Sequence, residues 1–258
     1  MLYRFLFFTV FTGFVFTACG YNIEFSQEEL EHALKGQVQS VFVDGNIKLI
    51  LQYAEKPFVR LDSKHDLDDV TVDYDNHVVT IKDISNDSRY FIKLFGVTVL
   101  EWGNSPERQT SCRVTCGVKD LRLIKARGKA KIDAYQVLSA DDATIQCKGA
   151  SSININQGSI KNITMVLKGS SDVTCNVASE LESVTMTAKG ASNVQIQSPL
   201  VQDAHVNVKG SSVVQLPKLK DLSLRARGSS LVSHQGVTGE YVSVNMRGAS
   251  SMIQQPKR

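Results

Sequence analysis

The sequence predicts an all-β protein, a right-handed, single-stranded parallel β-helix of about seven regular coils of ~20 residues, preceded by a less regular β region. Three observations support this fold class. A glycine recurs about every 20 residues, apolar and polar residues alternate around it, and Val, Ile, Thr and Ser dominate each repeat. A period of this length is typical of a chain wound into stacked coils.

Each repeat contains a basic residue followed by glycine, then usually a small residue and serine. The successive glycines are 21, 20, 21, 20, 18 and 20 residues apart. The basic residues that precede them are Arg127, Lys148, Lys168, Lys189, Lys209, Arg227 and Arg247. An α-helical solenoid is disfavoured, because the repeats contain no 3.6-residue period. We therefore expect extended coils, each lying on the previous one.

Apolar residues alternate with polar ones around each glycine, as in β-strands. The positions four and two before the glycine are apolar in every repeat, as at Ile145 and Cys147. The position six before it is apolar except at Arg122, and the position four after it is apolar throughout. We expect these rows to face inward. Glycine permits a bend between two strands, and the serine two residues later can bond to backbone groups inside the corner.

A third, less regular side completes each predicted coil. Its turns are predicted at residues 139–142, 157–161, 179–182, 198–202, 217–220 and 235–239. Equivalent strands of stacked coils pair in parallel, and parallel crossovers are right-handed. Seven coils at roughly 4.8 Å each predict a rod of about 34 Å.

The first 18 residues have the pattern of an export signal. Arg4 precedes an apolar run over residues 5–16, which is too short to span a membrane. Residues 16–19, Phe-Thr-Ala-Cys, resemble the lipobox of bacterial lipoproteins, so Cys19 is the predicted lipidation site. Ordinary export and a retained anchor are the alternatives. Gly20 and Tyr21 lack the Asp that retains many lipoproteins at an inner membrane, which favours the outer membrane.

We divide the chain into four parts: the signal peptide (1–18), a lipid-anchored tether (19–37), an irregular β region that caps the solenoid (38–120), and the regular coils (121–258). The tether contains a capping-box pattern that predicts a short helix from Ser26 through Ala33, or else an ordered tether. Strands in the irregular region are predicted at 38–43, 46–52, 58–62, 69–74 and 77–82, with a strand pair over 89–100 and a lead-in segment over 111–123.

Charge and cysteine content exclude several classes of protein. Removal of the signal peptide takes away one Arg and lowers the formal net charge from +3 to +2, so general nucleic-acid binding is excluded. Cys112 and Cys116 would lie about 13 Å apart on a strand, too far for a disulfide. Cys147 and Cys175 occupy inward positions. No zinc-type spacing occurs and no cofactor is predicted, so we expect buried free thiols.

Several segments carry a resemblance to a known family. They are residues 43–47 (Val-Asp-Gly-Asn-Ile), 70–72 and 78–81, and the Gly-Ser-Ser and Gly-Ala-Ser coils at 169–173 and 190–194. Over residues 38–253 the chain resembles the head GIN domain family, which is named as putative auto-transporter adhesins. The resemblance implies a β-helical, secreted or lipid-anchored bacterial protein. It supplies no catalytic residues.

One outward row is the candidate ligand site. We call it the basic ladder, and it consists of Lys148, Lys168, Lys189, Lys209, Arg227 and Arg247, with Arg127 at its start. Stacking in register would repeat a positive group about every 4.8 Å, which suits an anionic glycan, a lipid headgroup or another polyanion. The plainer interpretation, which the sequence alone favours, is that these side chains extend into water, cover apolar atoms with their stems and discourage edge-to-edge pairing.

No catalytic or metal site is predicted. The five histidines form no helix-spaced pair and have no obvious carboxylate companion. Because β-helices host polysaccharide lyases and hydrolases, we name candidate acids, which we place in different rows: Asp142, Asp172, Asp203 and Asp221. Two converging carboxylates in a groove, or a carboxylate with a basic partner, would support that enzyme class.

The preferred function is therefore a non-enzymatic, membrane-anchored envelope or cell-surface protein that presents a binding face for adhesion. A carbohydrate-active β-helix enzyme is the first alternative. A structural oligomeric envelope element is the second, because residues 254–258 scarcely cover the last coil and homo-oligomers could form through the solenoid ends.

Overall fold

The computed structural model describes residues 21–23, 31–62, 70–84, 90–94, 97–102, 112–138 and 140–255, and every regular element within them is a β-strand. The strands of the N-terminal part are β1 (Tyr21–Ile23), β2 (Glu31–Ala33), β3 (Ser40–Gly45), β4 (Ile47–Tyr53), β5 (Phe58–Leu61), β6 (Val70–Asp75), β7 (Val78–Asp83), β8 (Tyr90–Leu94), β9 (Val97–Trp102) and β10 (Cys112–Val118). Those of the next coils are β11 (Leu123–Gly128), β12 (Lys131–Tyr135), β13 (Asp142–Gly149), β14 (Ser152–Gly158), β15 (Asn162–Gly169), β16 (Asp172–Val177), β17 (Leu181–Gly190) and β18 (Asn193–Gln197). The last are β19 (Val201–Gly210), β20 (Val213–Leu216), β21 (Leu219–Gly228), β22 (Leu231–His234), β23 (Tyr241–Gly248) and β24 (Ser251–Gln254).

The regular coils form two parallel sheets that meet at the glycine corners. Sheet A runs β11-β13-β15-β17-β19-β21-β23, and sheet B runs β12-β14-β16-β18-β20-β22-β24. Equivalent positions are paired throughout, as Gly149 with Gly169 and Gly190 with Gly210. The predicted parallel β-helix with coils of about 20 residues is therefore confirmed.

The predicted inward rows form the core between the two sheets. Ile145, Met165 and Met186 are buried in consecutive coils of sheet A, and Val173 and Val194 are buried in sheet B. Arg122, which interrupts one row in the sequence, is exposed. The buried residue at that level is its neighbour Leu121. The core is thus a set of continuous apolar columns, whose removal from water stabilises the stack.

The glycine corner holds one coil against the next. Gly190 has φ = +109° and Gly210 has φ = +106°, a left-handed region that favours glycine. The carbonyl oxygen of Gly190 accepts bonds from Ser211 N (2.8 Å) and Ser212 Oγ (3.2 Å) of the following coil. The Ser212 hydroxyl is buried, so this bond also satisfies a group removed from water. The corner therefore requires both the glycine and the serine of the repeat.

The order of coils at the N-terminal end differs from the order along the chain. Strands β3 and β4 form a coil whose Gly45 aligns with Gly128. On the other side of this coil, β7 pairs in parallel with β3, and β10 pairs in parallel with β4. Antiparallel strands then extend both sheets, with β6 and β1 beyond β7, and β5 and β2 beyond β10. Strands β8 and β9 form a separate antiparallel pair.

Two predictions of local structure were wrong. Glu31–Ala33 form strand β2, which pairs antiparallel with β5, so the predicted helix does not extend through Ala33. The predicted turns also extend too far, because sheet A strands of up to ten residues begin at Leu181, Val201 and Leu219. Long strands bury these three residues in the core. The predicted signal peptide, Cys19 and the first part of the tether helix lie outside the described residues.

The last coil leaves its inward side chains accessible to solvent. Val244 is 41% exposed and Met246 is 42% exposed, although their rows are buried in the preceding coils. Beneath this coil, His234 is buried, and its Nδ1 accepts a hydrogen bond from Gly236 N at 3.1 Å. Burial lowers the pKa of His234, which agrees with the neutral imidazole that this bond requires. The C-terminal end of the core is therefore open in the single chain.

The four cysteines of the described part of the chain are buried free thiols, as predicted. Burial raises the pKa of Cys116, Cys147 and Cys175 to about 12. Thiols with such pKa values form little reactive thiolate near neutral pH. Among the described residues, no helix is long and apolar enough to cross a bilayer.

Candidate ligand-binding face of the solenoid

The basic ladder lies on the outward face of sheet A, one residue before each glycine corner. Pairing places its members side by side on consecutive strands, from Arg127 through Arg247. All are exposed. Because neighbouring strands are separated by about 4.8 Å, the ladder repeats a positive group at that interval along the rod.

Among the described residues, Arg127 at the start of the ladder is the one member with an ion-pair partner. Arg127 Nη1 lies 3.7 Å from Asp44 Oδ2, and Asp44 occupies the equivalent position of the coil below. Within the described residues, the six members from Lys148 to Arg247 form no ion pair. These cations therefore present an uncompensated positive field along one edge of sheet A.

Two further outward rows run beside the ladder in the C-terminal coils. They border a shallow depression of about 320 Å³ that crosses β17, β19, β21 and β23. One row contains Thr187, Asn207, Arg225 and Asn245, and the other contains hydroxyl side chains and His205. Sequence reasoning assigned these residues only to the solvent face. The sequence shows that these residues lie three or five positions before the glycine of their repeat. It does not show that they border a depression.

A second depression, of about 330 Å³, lies where sheet B ends and the chain returns toward sheet A. Its polar walls include Gln157, Asn176 and Gln197. Asn176 Nδ2 donates to Asn156 Oδ1 at 3.3 Å, so amide groups of adjacent coils bond to one another here. These walls carry no charged side chain and do not adjoin the ladder.

The candidate acids are arranged differently from the prediction. Pairing along sheet A places Asp142, Asp203 and Asp221 in one column, with the last two on adjacent strands. All three lie seven residues before the glycine of their repeat, so their assignment to different rows was wrong. Asp221 Oδ1 accepts the backbone N–H of Glu240 at 2.9 Å. Asp172 lies on sheet B, where its Oδ1 accepts from Asn193 Nδ2 at 3.1 Å.

Neither depression contains an acidic residue. In the part of the chain that the structure describes, no group of three His, Cys, Asp or Glu side chains could hold a metal ion. His205 is exposed and borders the depression on sheet A, whereas His234 is buried in the core. The chemistry that this face offers is therefore hydrogen bonding and attraction of anions.

Two solved structures resemble this fold. A putative adhesin from Bacteroides fragilis superposes with a TM-score of 0.54 at 11% identity, covering 90% of this chain and 94% of that chain. A putative lipid binding protein from Parabacteroides distasonis superposes with a TM-score of 0.52 at 14% identity, covering 86% of this chain and 94% of that chain. At such identities the similarity shows the fold alone.

No curated protein matches this chain. A family model described as "Putative auto-transporter adhesin, head GIN domain" matches residues 39–252, from the coil of Gly45 to the last coil. Because this match covers most of the chain, the protein belongs to the family of putative auto-transporter adhesins with a head GIN domain.

Proposed function

We propose that this protein is an exported, lipid-anchored β-solenoid of the bacterial cell envelope that binds an anionic glycan through the basic ladder and catalyses no reaction. One observation carries the proposal. Six exposed cations occupy the same position of six consecutive coils, and none has an ion-pair partner among the described residues. A rigid row of this kind can contact several charges of one extended polyanion without a change of conformation.

Protection of a sheet edge does not account for the ladder. Strands β13, β15, β17, β19 and β21 are each paired on both sides, so their lysines and arginines guard no open edge. Only Arg247 lies on a strand at the end of the stack. Like charges at about 4.8 Å repel one another, so the row costs some stability. Ligand binding gives a reason for keeping a cation in every coil.

The family assignment supports an adhesive role outside the cytoplasm, since the family is described by adhesion and not by catalysis. The proposed lipid on Cys19 agrees with the strand order, because β1 begins at Tyr21 and lies at the far end of sheet A from β23. Ten strand spacings of about 4.8 Å separate these two strands, roughly 48 Å. With an anchor at Cys19, the ladder would extend away from the outer membrane, with β23 at its far end.

Glycan cleavage receives less support. Asp203 and Asp221 are neighbours, but they lie outside both depressions. One oxygen of Asp221 already bonds to the backbone of Glu240. A lyase or hydrolase needs an acid and a base on opposite sides of a bound sugar, and the ladder supplies no such pair.

The test is binding to polysaccharides by the chain from Gly20 onward, which retains every described residue. We expect binding to dextran sulfate and polygalacturonate, weaker at 300 mM than at 50 mM salt, and no binding to neutral dextran. Replacing Lys168, Lys189 and Lys209 together by Gln should weaken binding by at least about tenfold, because it interrupts the row at its centre. Affinity is measured by isothermal titration calorimetry.

The matched control also removes three positive charges, with Lys56→Gln, Lys131→Gln and Lys220→Gln. These lysines are exposed but scattered over the surface. The proposal requires the control to retain nearly wild-type affinity. Equal losses of affinity in the two triple variants would mean that binding depends on net charge alone. That result would eliminate the ladder as a binding site.

A further inference from the structure

The depression on sheet A lies beside the C-terminal half of the basic ladder and is about 320 Å³ in volume. Three of its residues form one column, because Asn207, Arg225 and Asn245 are paired in register on β19, β21 and β23. An amide, a guanidinium and a second amide therefore alternate along the rod. No other column of the described coils has this alternation next to the ladder.

These three side chains have no protein partner among the residues that the structure describes. Elsewhere on the solenoid, surface amides bond to the coil beside them, as Asn162 Nδ2 does to Asp142 Oδ1 at 3.0 Å. Within the described residues, Asn207 and Asn245 make no such bond, and Arg225, which lies between them, forms no ion pair. Their donors and acceptors are thus available to a ligand.

The surroundings of the column are strongly positive. Lys209, Arg227 and Arg247 lie two residues further along the same strands, on the same face of the sheet. Two residues along a strand correspond to about 6.6 Å, so Arg225 adds one positive charge close beside the ladder. No acidic residue lines the depression. An anionic group is therefore favoured at Arg225.

The mixture of groups fits a sugar that carries a carboxylate. A guanidinium can bind a carboxylate through two parallel hydrogen bonds. Twice the strand spacing, roughly 9.6 Å, separates the Cα atoms of Asn207 and Asn245, so both amides flank a group bound at Arg225. The apolar residues of the depression, such as Val206 and Leu224, are buried. No apolar side chain is available there for insertion into lipid, which favours a polyhydroxylated anion over a bilayer.

We infer that this depression is a subsite for a carboxylated sugar of an acidic polysaccharide, in which Arg225 binds the carboxylate and Asn207 and Asn245 bind hydroxyl groups. The inference rests on the proposed function, because the ladder would hold the charged units on either side of this sugar. It adds a preference for a carboxylated sugar over dextran sulfate, because sulfation replaces hydroxyl groups that the two amides would bind. A row of lysines does not provide this preference.

The test is the affinity of the chain from Gly20 onward for oligogalacturonate, its methyl ester and dextran sulfate. Arg225→Gln should weaken binding of oligogalacturonate by about tenfold, as expected for a lost charge-assisted pair, and of dextran sulfate by less than about threefold. The variant Asn207→Ala with Asn245→Ala should weaken oligogalacturonate binding by about fivefold with an unchanged salt dependence, since no charge is removed. The methyl ester should not bind.

The control is Arg122→Gln, which removes an exposed arginine outside the depression. Equal effects of Arg225→Gln and Arg122→Gln, or no effect of the two amide substitutions, would overturn the inference. If the triple lysine variant still lost affinity in that case, the ladder proposal would stand alone. Binding to phosphatidylglycerol vesicles with none to either polysaccharide would overturn both.

Discussion

Replacing Gly210 by Ala is expected to lower the free energy of unfolding by more than about 4 kcal/mol, a loss reached only by severe substitutions. A Cβ at this position would lie 2.4 Å from the carbonyl oxygen of Gly190. That oxygen accepts two hydrogen bonds from the coil of Gly210, so it cannot withdraw without breaking them. The left-handed backbone, with φ = +106°, adds strain of about 1–3 kcal/mol.

The control for this substitution is Gly236→Ala. Gly236 also has a positive φ, +136°, but its Cβ would meet nothing closer than Gln254 Nε2 at 3.6 Å. Gly236→Ala should lower the free energy of unfolding only by the cost of backbone strain, about 1–3 kcal/mol. Urea unfolding followed by circular dichroism measures both variants. Similar losses at Gly210 and Gly236 would contradict the close stacking of the glycine corners.

Replacing Met186 by Ala is expected to cost about 2–5 kcal/mol, the usual range for truncation of a fully buried methionine. Met186 is 1% exposed and lies between equivalent residues of the coils on either side. The rigid columns of the core limit how far neighbouring side chains can move to fill the resulting cavity.

The same substitution at Met246 provides the control, because Met246 lies in an inward row of the last coil and is 42% exposed. We expect Met246→Ala to cost less than about 1 kcal/mol. Both variants are compared by chemical denaturation at low protein concentration. A loss at Met246 as large as at Met186 would contradict an open last coil and would mean that another copy or segment covers it.

Much of the solenoid could be predicted because the repeated sequence shows both the period of the coils and the alternation of apolar and polar residues. The burial of Ile145 and Met165 and the exposure of Lys148 and Lys168 follow from one comparison of positions relative to the glycine. That comparison works because a strand sends successive side chains to opposite faces. It also identified Cys147 as a core thiol.

The coil of Gly45 was harder to recognise, because its position in the stack does not follow the chain. Residues 46–127 separate Gly45 from the glycine that it contacts, and Asp44 replaces the basic residue. Within this stretch, β7 and β10 pair with the opposite side of the Gly45 coil, where Asp83 lies against Gly45. Nearest-neighbour reasoning along the sequence cannot supply such an arrangement.

The candidate site was predicted only in part. The ladder followed from the repeat, whereas the column of Asn207, Arg225 and Asn245 has different residues in successive coils and carries no periodic signal. Counting back from each glycine gives the register of this column, whereas the depression that it borders becomes visible only in the structure. The adjacency of Asp203 and Asp221 follows from the same count, since both lie seven residues before a glycine.

The measurement that most directly tests this account is the distance along the ladder, obtained from pairs of spin labels by double electron–electron resonance. In one variant, spin-labelled cysteines replace Lys148 and Arg227. In the other variant, they replace Lys148 and Arg247. The chain from Gly20 onward has four native thiols, all buried, with raised pKa values at Cys116, Cys147 and Cys175, so they should react little with the label. In-register stacking predicts separations of about 19 Å and 24 Å, four and five strand spacings, so the second pair should be longer by about 4.8 Å. A second distance that equals the first, or that exceeds it by twice this amount, would contradict the continuous ladder on which the proposed function depends.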